Sequence, residues 1–276
     1  MRGIVAAAGT IFLLAAPPFA KADDTPEWKI CISVTNSGAE RLAACTAVID
    51  SRAETGRRLA GAYCVRGHEL TEKRELDAAL AALNEAIKAD ATYACAFNNR
   101  GRAYGFKGDH DRAIVDYDEA IRLDPKFALA FGNRGAVHFQ KRDYARAIED
   151  YSVQIRVAPD VLAYLARGNA YRASEQLDRA EADYASVIRM APTDARGWRN
   201  RGLIRLVKGN NKSAVADYDK ALQYDPADVY SWNNRAQAKM RVGDKKGAIA
   251  DLRKALELRP GLESALAALK QLGAAP

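Results

Sequence analysis

One spacing dominates this sequence, because the same kinds of residue return about every 34 positions. Small residues, mostly glycine, return at Gly67, Gly101, Gly135, Gly168, Gly202 and Ala236. Prolines return with the same spacing at Pro125, Pro159, Pro192, Pro226 and Pro260. Self-similarity at a fixed period of this length indicates one supersecondary unit that is stacked on copies of itself. Such a solenoid displays a long surface and rarely contains a catalytic pocket.

Residues 94–127 make up one repeat, and they predict two helices joined by a tight turn. In the second half, apolar residues follow helical spacing at Ala113, Ile114, Tyr117, Ala120 and Ile121. Gly108 can adopt the positive φ that ends the first helix, and Asp109 or Asp111 can cap the second. The Asp-Pro step at 124–125 ends the second helix, since the residue before proline is disfavoured in the α region. We therefore expect an all-α solenoid of antiparallel helix pairs.

The repeat resembles the tetratricopeptide repeat (TPR), whose aromatic column is matched in every unit. That column reads Tyr63, Phe97, Phe131, Tyr164, Trp198 and Trp232. The resemblance implies a right-handed superhelix of six units, at 60–93, 94–127, 128–160, 161–194, 195–228 and 229–262. Residues 263–276 continue the rhythm as a capping helix and tail, which would cover the apolar face of the last unit.

The start of the chain is typical of a secretory signal peptide over residues 1–22. Arg2 precedes an apolar stretch, and Ala20 and Ala22 form a small-x-small cleavage site. The apolar stretch is short for a membrane span of about 20 residues, but an uncleaved anchor is the alternative. We expect a periplasmic protein in which residues 23–59 form a degenerate helical unit ahead of the matched repeats.

Four cysteines in an exported chain favour disulfide pairing, although the sequence allows three connectivities. Shifting the alanine column back by one period places Cys45 in it, and Cys31 then falls on the first helix of the same unit. A Cys31–Cys45 disulfide would staple this degenerate unit. Cys64 and Cys95 lie on the first helices of adjacent units and form a second possible pair, with free buried thiols as the alternative. No CxxC spacing exists, so we expect no metal site.

The charge of the chain favours anionic partners. The formal net charge is +7, and the predicted signal peptide contributes two of these charges through Arg2 and Lys21. A modest positive charge steers acidic or anionic partners towards a protein. There is no block of consecutive basic residues, and export argues against nucleic acid as a partner. The oligomeric state does not follow from the sequence.

A column of arginines precedes the small-residue column by one position. It consists of Arg66, Arg100, Arg134, Arg167, Arg201 and Arg235, and all but Arg66 have an aspartate sixteen residues later. A planar guanidinium that holds a carboxylate suits a partly buried seam between helices. We expect ion pairs within each unit; the alternative is a row of arginines that binds an anionic ligand.

The resemblance also implies a ligand-binding face, since the concave face of this family takes extended peptides or partner helices. Asparagines that could hold a peptide backbone stand at Asn99, Asn133, Asn200 and Asn234. Around them we place the cationic residues Arg102, Arg172, Arg196, Arg199 and Arg241. The apolar lining residues are Phe106, Phe139, Leu162, Leu165, Leu203, Leu206, Tyr230 and Met240. Such a face should accept a segment with apolar anchors and acidic residues. Cys95 and Leu129 replace the lysines of the family's carboxylate clamp, so that clamp is not expected.

No catalytic arrangement is evident. The three histidines, His68, His110 and His138, stand in different columns and make no metal-binding or acid–base spacing. We expect no enzyme activity and no cofactor. The favoured hypothesis is a scaffold or adaptor in the cell envelope, with peripheral envelope association possible. The alternative is an envelope structural factor that binds an anionic polymer, such as peptidoglycan or a polysaccharide, through the groove arginines.

Overall fold

The computed structural model describes residues 24–276, and the predicted signal peptide lies outside them. Within this range the chain forms fifteen α-helices and no strand, which confirms the all-α class. The helices are α1 (Pro26–Ile32), α2 (Gly38–Asp50), α3 (Gly56–Glu72), α4 (Leu76–Ala89), α5 (Ala94–Lys107), α6 (His110–Leu123), α7 (Ala128–Gln140), α8 (Tyr144–Val157), α9 (Val161–Ala173), α10 (Leu177–Met190), α11 (Ala195–Val207), α12 (Asn211–Tyr224), α13 (Val229–Arg241), α14 (Lys245–Leu258) and α15 (Glu263–Gln271).

The chain divides into two compact units, one that ends at Ala158 and one that spans Pro159–Pro276. In the first unit, α1 packs on α2, α3 on α4, α5 on α6 and α7 on α8. In the second unit, α9 packs on α10, α11 on α12 and α13 on α14, and α15 then packs on α14. We call the two members of each pair the first helix and the second helix. Each unit is thus a run of helix pairs, as the repeat predicts.

Local signals in the sequence explain where the helices begin and end. Gly108 has φ 81° and ends α5, and the side chain of Asp109 then accepts a hydrogen bond from the backbone N–H of Arg112 to cap α6. Asp143 caps α8 in the same way. From α5 to α13, first helices begin at Ala94, Ala128, Val161, Ala195 and Val229. Helix α3 begins earlier than the predicted unit boundary at residue 60, at Gly56.

The small-residue column lies where the two helices of a pair approach most closely. A Cβ added to Gly101 would lie 2.9 Å from Cε1 of Tyr117 and 3.0 Å from the carbonyl oxygen of Ala113. At Gly168 the same atom would lie 2.8 Å from Cε1 of Tyr184. Real Cβ atoms do not tolerate such distances, so the periodic glycines and tyrosines are a packing device of the core.

The N-terminal helix pair is held by a covalent bond. The sulfurs of Cys31 and Cys45 lie 2.10 Å apart in a disulfide that joins α1 to α2, the pair that the repeat register predicts. Both cysteines lie in a buried cluster with Trp28, which also packs against α3 residues such as Val65. The disulfide therefore adds a covalent link to a short helix that is also held by the packing of Trp28.

The second cysteine pair is not bonded. Cys64 and Cys95 are free, although their sulfurs lie 3.1 Å apart. A disulfide needs about 2.05 Å between the sulfurs, so the second predicted bond is absent from this structure and the alternative of free thiols describes it.

Candidate functional site

The arginine column belongs to the core rather than to a ligand site. In five repeats the guanidinium donates Nε–H and Nη2–H to the two oxygens of one aspartate. The pairs are Arg100–Asp116, Arg134–Asp150, Arg167–Asp183, Arg201–Asp217 and Arg235–Asp251. All five aspartates are buried. The predicted pairing of each arginine with the aspartate of its own repeat is confirmed in these five repeats. These arginines therefore have little capacity left for an anionic ligand.

Several of the same arginines also reach the preceding repeat. Arg100 donates to Oδ1 of Asn84 at 2.8 Å, and Arg235 donates to Oδ1 of Asp219 at 2.6 Å. Each acceptor lies sixteen residues before its arginine, on the exposed side of the preceding second helix. One guanidinium therefore joins two consecutive second helices. The aspartate column does not predict this contact, because Asn84 and Asp219 lie outside that column.

In the first unit the predicted peptide-binding asparagines hold the protein together instead. Asn133 on α7 donates to Oδ1 of Asn98 at 2.9 Å, and Asn98 donates to Oδ1 of Asn99 at 3.2 Å. Asn99 in turn donates to the sulfur of Cys64 on α3 at 3.2 Å. We call Asn133, Asn98 and Asn99 the amide chain. It joins three first helices, and it occupies the amide donors that were expected to hold a peptide.

Arg102, the one cationic residue of the predicted ligand face that lies in the first unit, is also neutralised within the protein. Arg102 pairs with Glu72, and its Nη1 lies 3.4 Å from Nδ1 of His68. Burial and the charge of Arg102 lower the pKa of His68 to about 4, so the ring is neutral at ordinary pH. Phe106 lies under the guanidiniums of Arg102 and Arg74, with centroid distances of 5.1 and 3.9 Å. In this part of the predicted site, Arg102 and Phe106 are therefore already engaged by other side chains of the protein.

Phe139, the other predicted aromatic of the first unit, packs beside the ring of Tyr144, with the ring centroids 5.4 Å apart. It is partly exposed. Its contact joins α7 to α8.

In the second unit the predicted arginines fall into two groups. Arg196 is bound to Asp194, which caps α11, through contacts of 2.6 to 3.1 Å. Arg199 reaches Asp228 at 3.4 Å. Among the described residues, Arg172 and Arg241 have no carboxylate within ion-pair distance; Arg241 instead donates to the carbonyl oxygen of Leu206 at 2.8 Å. The second unit therefore displays cationic groups that its own acids do not neutralise.

Arg172 stands beside an apolar cleft of about 430 Å³. The cleft is lined by Arg172, Glu175, Leu177, Leu203, Ile204 and Val207. Val207 is 60% exposed, although it is a large apolar residue at the end of α11. Burial of such a residue by a partner is favourable. The cleft thus offers an apolar floor with a cation at its edge.

The asparagines of the second unit are less constrained than those of the first. The side chain of Asn200 makes no hydrogen bond with other described residues, whereas Asn234 accepts one from Asn233 at 3.4 Å. An amide of this kind can donate to one peptide group and accept from another. We call Asn200, Leu203, Arg172, Val207 and Arg241 the first-helix face of the second unit.

Four of the predicted lining residues pack into the core, fully or in part. Leu165 is only 7% exposed and packs in the core with Ala180 and Tyr184, so its assignment to the ligand face is wrong. Leu206 is buried as well. Leu162 and Met240 pack partly against the core clusters. The helical spacing puts these residues near the boundary between the ligand face and the core. In the structure their side chains pack on the core side of that boundary.

Tyr230 extends the exposed apolar surface of the second unit at the start of α13. Its ring is 53% exposed, and its hydroxyl accepts a hydrogen bond from Arg259 at 3.1 Å. The Arg259 guanidinium also lies 5.1 Å from the ring centroid. An exposed tyrosine with a neighbouring cation is suited to contact with a partner.

The two units differ in charge. Residues 24–158 hold 20 basic and 20 acidic side chains and are neutral, whereas residues 159–276 hold 20 basic and 14 acidic side chains and carry +6. The positive charge of the described chain therefore belongs to the second unit, where Arg172 and Arg241 lack carboxylate partners. An acidic ligand would be steered to this unit.

Two features are absent from residues 24–276, the part of the chain that the structure describes. In this range no group of three or more His, Cys, Asp or Glu side chains could hold a metal ion. None of the helices described there is long and apolar enough to cross a membrane.

Sequence profiles described as tetratricopeptide repeat match residues 60–93, 94–127, 165–229 and 205–263 of this chain. Together these matches span more than half of its length. No curated protein sequence matches the chain at a significant level.

Solved structures share the fold at low sequence identity. YrrB, whose crystal structure is described as that of a TPR protein with an unusual peptide-binding site, is 21% identical with a TM-score of 0.61, over 68% of this chain and 97% of that one. The C-terminal part of a TPR repeat-containing protein from Cytophaga hutchinsonii is 20% identical with a TM-score of 0.67, over 84% and 94%. Pseudomonas aeruginosa pilF is 14% identical with a TM-score of 0.67, over 77% and 97%. At these identities the similarity shows the fold alone.

Proposed function

The chain belongs to the tetratricopeptide repeat family of protein-interaction scaffolds, and on this premise we propose that its second unit binds an acidic segment of a partner protein. The binding surface is the first-helix face of that unit. The protein acts as a scaffold or adaptor and catalyses no reaction. It works in the cell envelope, after export through the signal peptide expected at residues 1–22.

One observation carries this proposal: Arg172 stands without a carboxylate partner beside an apolar cleft. Glu175 lines the same cleft but does not come within ion-pair distance of the guanidinium. An acidic side chain of a partner could supply the missing carboxylate, and a planar guanidinium can hold it through two parallel hydrogen bonds. Charge complementarity then selects acidic partners over basic ones.

Apolar anchors would supply most of the affinity. Leu203 and Val207 line the cleft next to Arg172, and Val207 is largely exposed without a partner. Burial of apolar surface contributes roughly 25 cal/mol per Å², so one well-seated leucine or phenylalanine of the partner contributes a few kcal/mol. The unengaged amide of Asn200 would hold the backbone of the segment between such anchors.

A protein segment fits these features better than an anionic polymer. Five arginines of the periodic column are already paired with buried aspartates, so they form no cationic row for peptidoglycan or a polysaccharide. On the first-helix face the available cations are Arg172 and Arg241, and Arg172 adjoins apolar side chains. The peptide-binding site described for YrrB supports a peptide as the ligand class, although that description concerns YrrB itself.

Charge reversal on the first-helix face tests the proposal. We expect the double variant Arg172→Glu, Arg241→Glu to capture at least roughly tenfold less of an acidic envelope protein than the unaltered chain, because two attractive contacts become repulsive. Quantitative mass spectrometry of proteins captured from the native envelope extract measures this.

The matched control is Lys212→Glu, Lys220→Glu, which reverses the same number of charges on the exposed side of α12. It should capture the partner nearly as well as the unaltered chain. Equal loss in both variants would assign binding to net charge alone, and no loss in either would place the partner on another surface.

A further inference from the structure

The two free cysteines meet at the contact between two first helices. Cys64 lies on α3 and Cys95 on α5, and their sulfurs are 3.1 Å apart. Cys64 is only 1% exposed, whereas Cys95 is partly exposed. Reacting atoms about 3 to 3.5 Å apart are close to the geometry of bond formation. A disulfide here requires the sulfurs to approach by about 1 Å.

The neighbours of the thiols make them chemically unequal. Burial raises the pKa of Cys64, whereas the hydrogen bond from Cys64 lowers the pKa of Cys95. The amide of Asn99 donates to both sulfurs, at 3.2 Å to Cys64 and 3.6 Å to Cys95. Cys95 is thus the more accessible sulfur and the one that more readily becomes a thiolate, which is the reactive form.

We propose that Cys64 and Cys95 form an oxidisable pair whose disulfide cross-links α3 to α5 and releases the Asn99 amide towards the first-helix side of the first unit. The cross-link stands on the geometry of the thiols alone. The consequence for ligand binding rests on the proposed function, because a free amide there would add a peptide-holding group to the first unit.

The oxidant is a small-molecule disulfide such as oxidised glutathione. The Cys95 thiolate attacks one sulfur of this disulfide, which breaks its S–S bond and forms a mixed disulfide, and the first leaving thiolate takes up the proton lost by Cys95. Cys64 then loses its proton and attacks Sγ of Cys95, which expels the second leaving thiolate. The protein loses two electrons and two protons, and the oxidant becomes two thiols.

Oxidation would change the state of the amide chain. In the reduced pair, the sulfurs accept the last hydrogen bond of the series that runs from Asn133 through Asn98 to Asn99. A Cys sulfur is a weak acceptor, and the approach of the two sulfurs moves them relative to Asn99. The Asn99 N–H groups then lose their protein acceptors and become available to solvent or to a ligand.

The experiment equilibrates the full mature chain in glutathione buffers of increasing oxidised fraction and quenches it with acid. The chain is then unfolded in denaturant, its free thiols are alkylated, and the peptides are mapped by mass spectrometry. We expect Cys64 and Cys95 to lose alkylation together and to yield one cross-linked peptide about 2 Da lighter than the two free peptides. Independent loss at the two sites, or full alkylation of both in the most oxidising buffer, would overturn the proposal.

Two single variants test the order of the steps. Cys64→Ser removes the second nucleophile, so Cys95 should accumulate as a stable mixed disulfide with glutathione, whereas Cys95→Ser should leave Cys64 largely unmodified because it is buried. Modification of Cys64 in the absence of Cys95 at the same rate would contradict the assigned order.

The release of the Asn99 amide on oxidation can be measured separately, without a binding partner. The side-chain amide signal of Asn99, identified by its loss in Asn99→Ala, should exchange with solvent faster in the oxidised chain than in the reduced chain. Unchanged exchange would refute the release of Asn99. This result is independent of whether the second unit binds an acidic segment.

Discussion

Replacement of Asp217 by alanine is expected to destabilise the α11–α12 pair by about 3–5 kcal/mol. Asp217 is 2% exposed and accepts hydrogen bonds from Arg201 at 2.8 and 3.0 Å. Nη1 of Arg205 lies 3.0 Å from the same carboxylate. Without Asp217, the partly buried guanidinium of Arg201 loses its only carboxylate partner within residues 24–276, and Arg205 keeps only Glu181. Hydrogen exchange of α11 and α12, together with thermal unfolding, measures the effect.

The control for this prediction lies two residues away on the same helix. Asp219 also pairs with an arginine, Arg235, but its carboxylate is half-exposed and Arg235 keeps a second, buried partner in Asp251. Asp219→Ala should therefore cost less than about 1 kcal/mol. If the two alanine variants were equally stable, the buried ion pairs would not be the seam that joins first and second helices.

Removal of the Cys31–Cys45 disulfide is expected to release the N-terminal pair while the later repeats stay helical. The bond closes a loop of 14 residues, for which the loss of cross-linking costs about 3 kcal/mol. Repeats are coupled mainly to their neighbours, so the loss should be local. In the variant Cys31→Ser, Cys45→Ser, hydrogen exchange should accelerate in α1 and α2 and remain slow in α5 to α8.

Trp28 provides a second readout, since it is buried in the disulfide cluster under the guanidinium of Arg58, 4.1 Å from the ring centroid. Its fluorescence should shift towards that of an exposed indole in the variant. Unfolding of every repeat in one transition would contradict a local role for the disulfide, and so would unchanged exchange in α1 and α2.

The periodicity of the sequence predicts the fold well because each column corresponds to one packing position. The glycine column marks the closest approach of paired helices, and the arginine and aspartate columns meet as ion pairs. Cys45 could be placed on a second helix only by counting back one period from Ala79. In each case the same packing requirement recurs in several repeats, so the sequence shows it as a column of similar residues.

The ligand face is less predictable from the sequence, because residues of one column have different neighbours in different repeats. These neighbours determine whether a side chain is engaged within the protein or available to a ligand. Asn99 and Asn200 share a column, yet Asn99 is bound to the cysteine sulfurs and Asn200 is not engaged. Arg102 and Arg172 both look like ligand-binding cations in the sequence, but only Arg102 has an acid, Glu72, within reach. Contacts between adjacent first helices depend on residues outside the repeat pattern, and the period carries no information about them.

Site-specific photo-crosslinking in cells tests directly whether the first-helix face of the second unit binds an acidic protein. One probe replaces Asn200 on the first-helix face of the second unit, and a control probe replaces Lys220 on the exposed side of α12. We expect a discrete adduct with an acidic protein from position 200 only. Equal labelling from both positions, or no protein adduct from position 200, would contradict the assignment of this face as the binding surface.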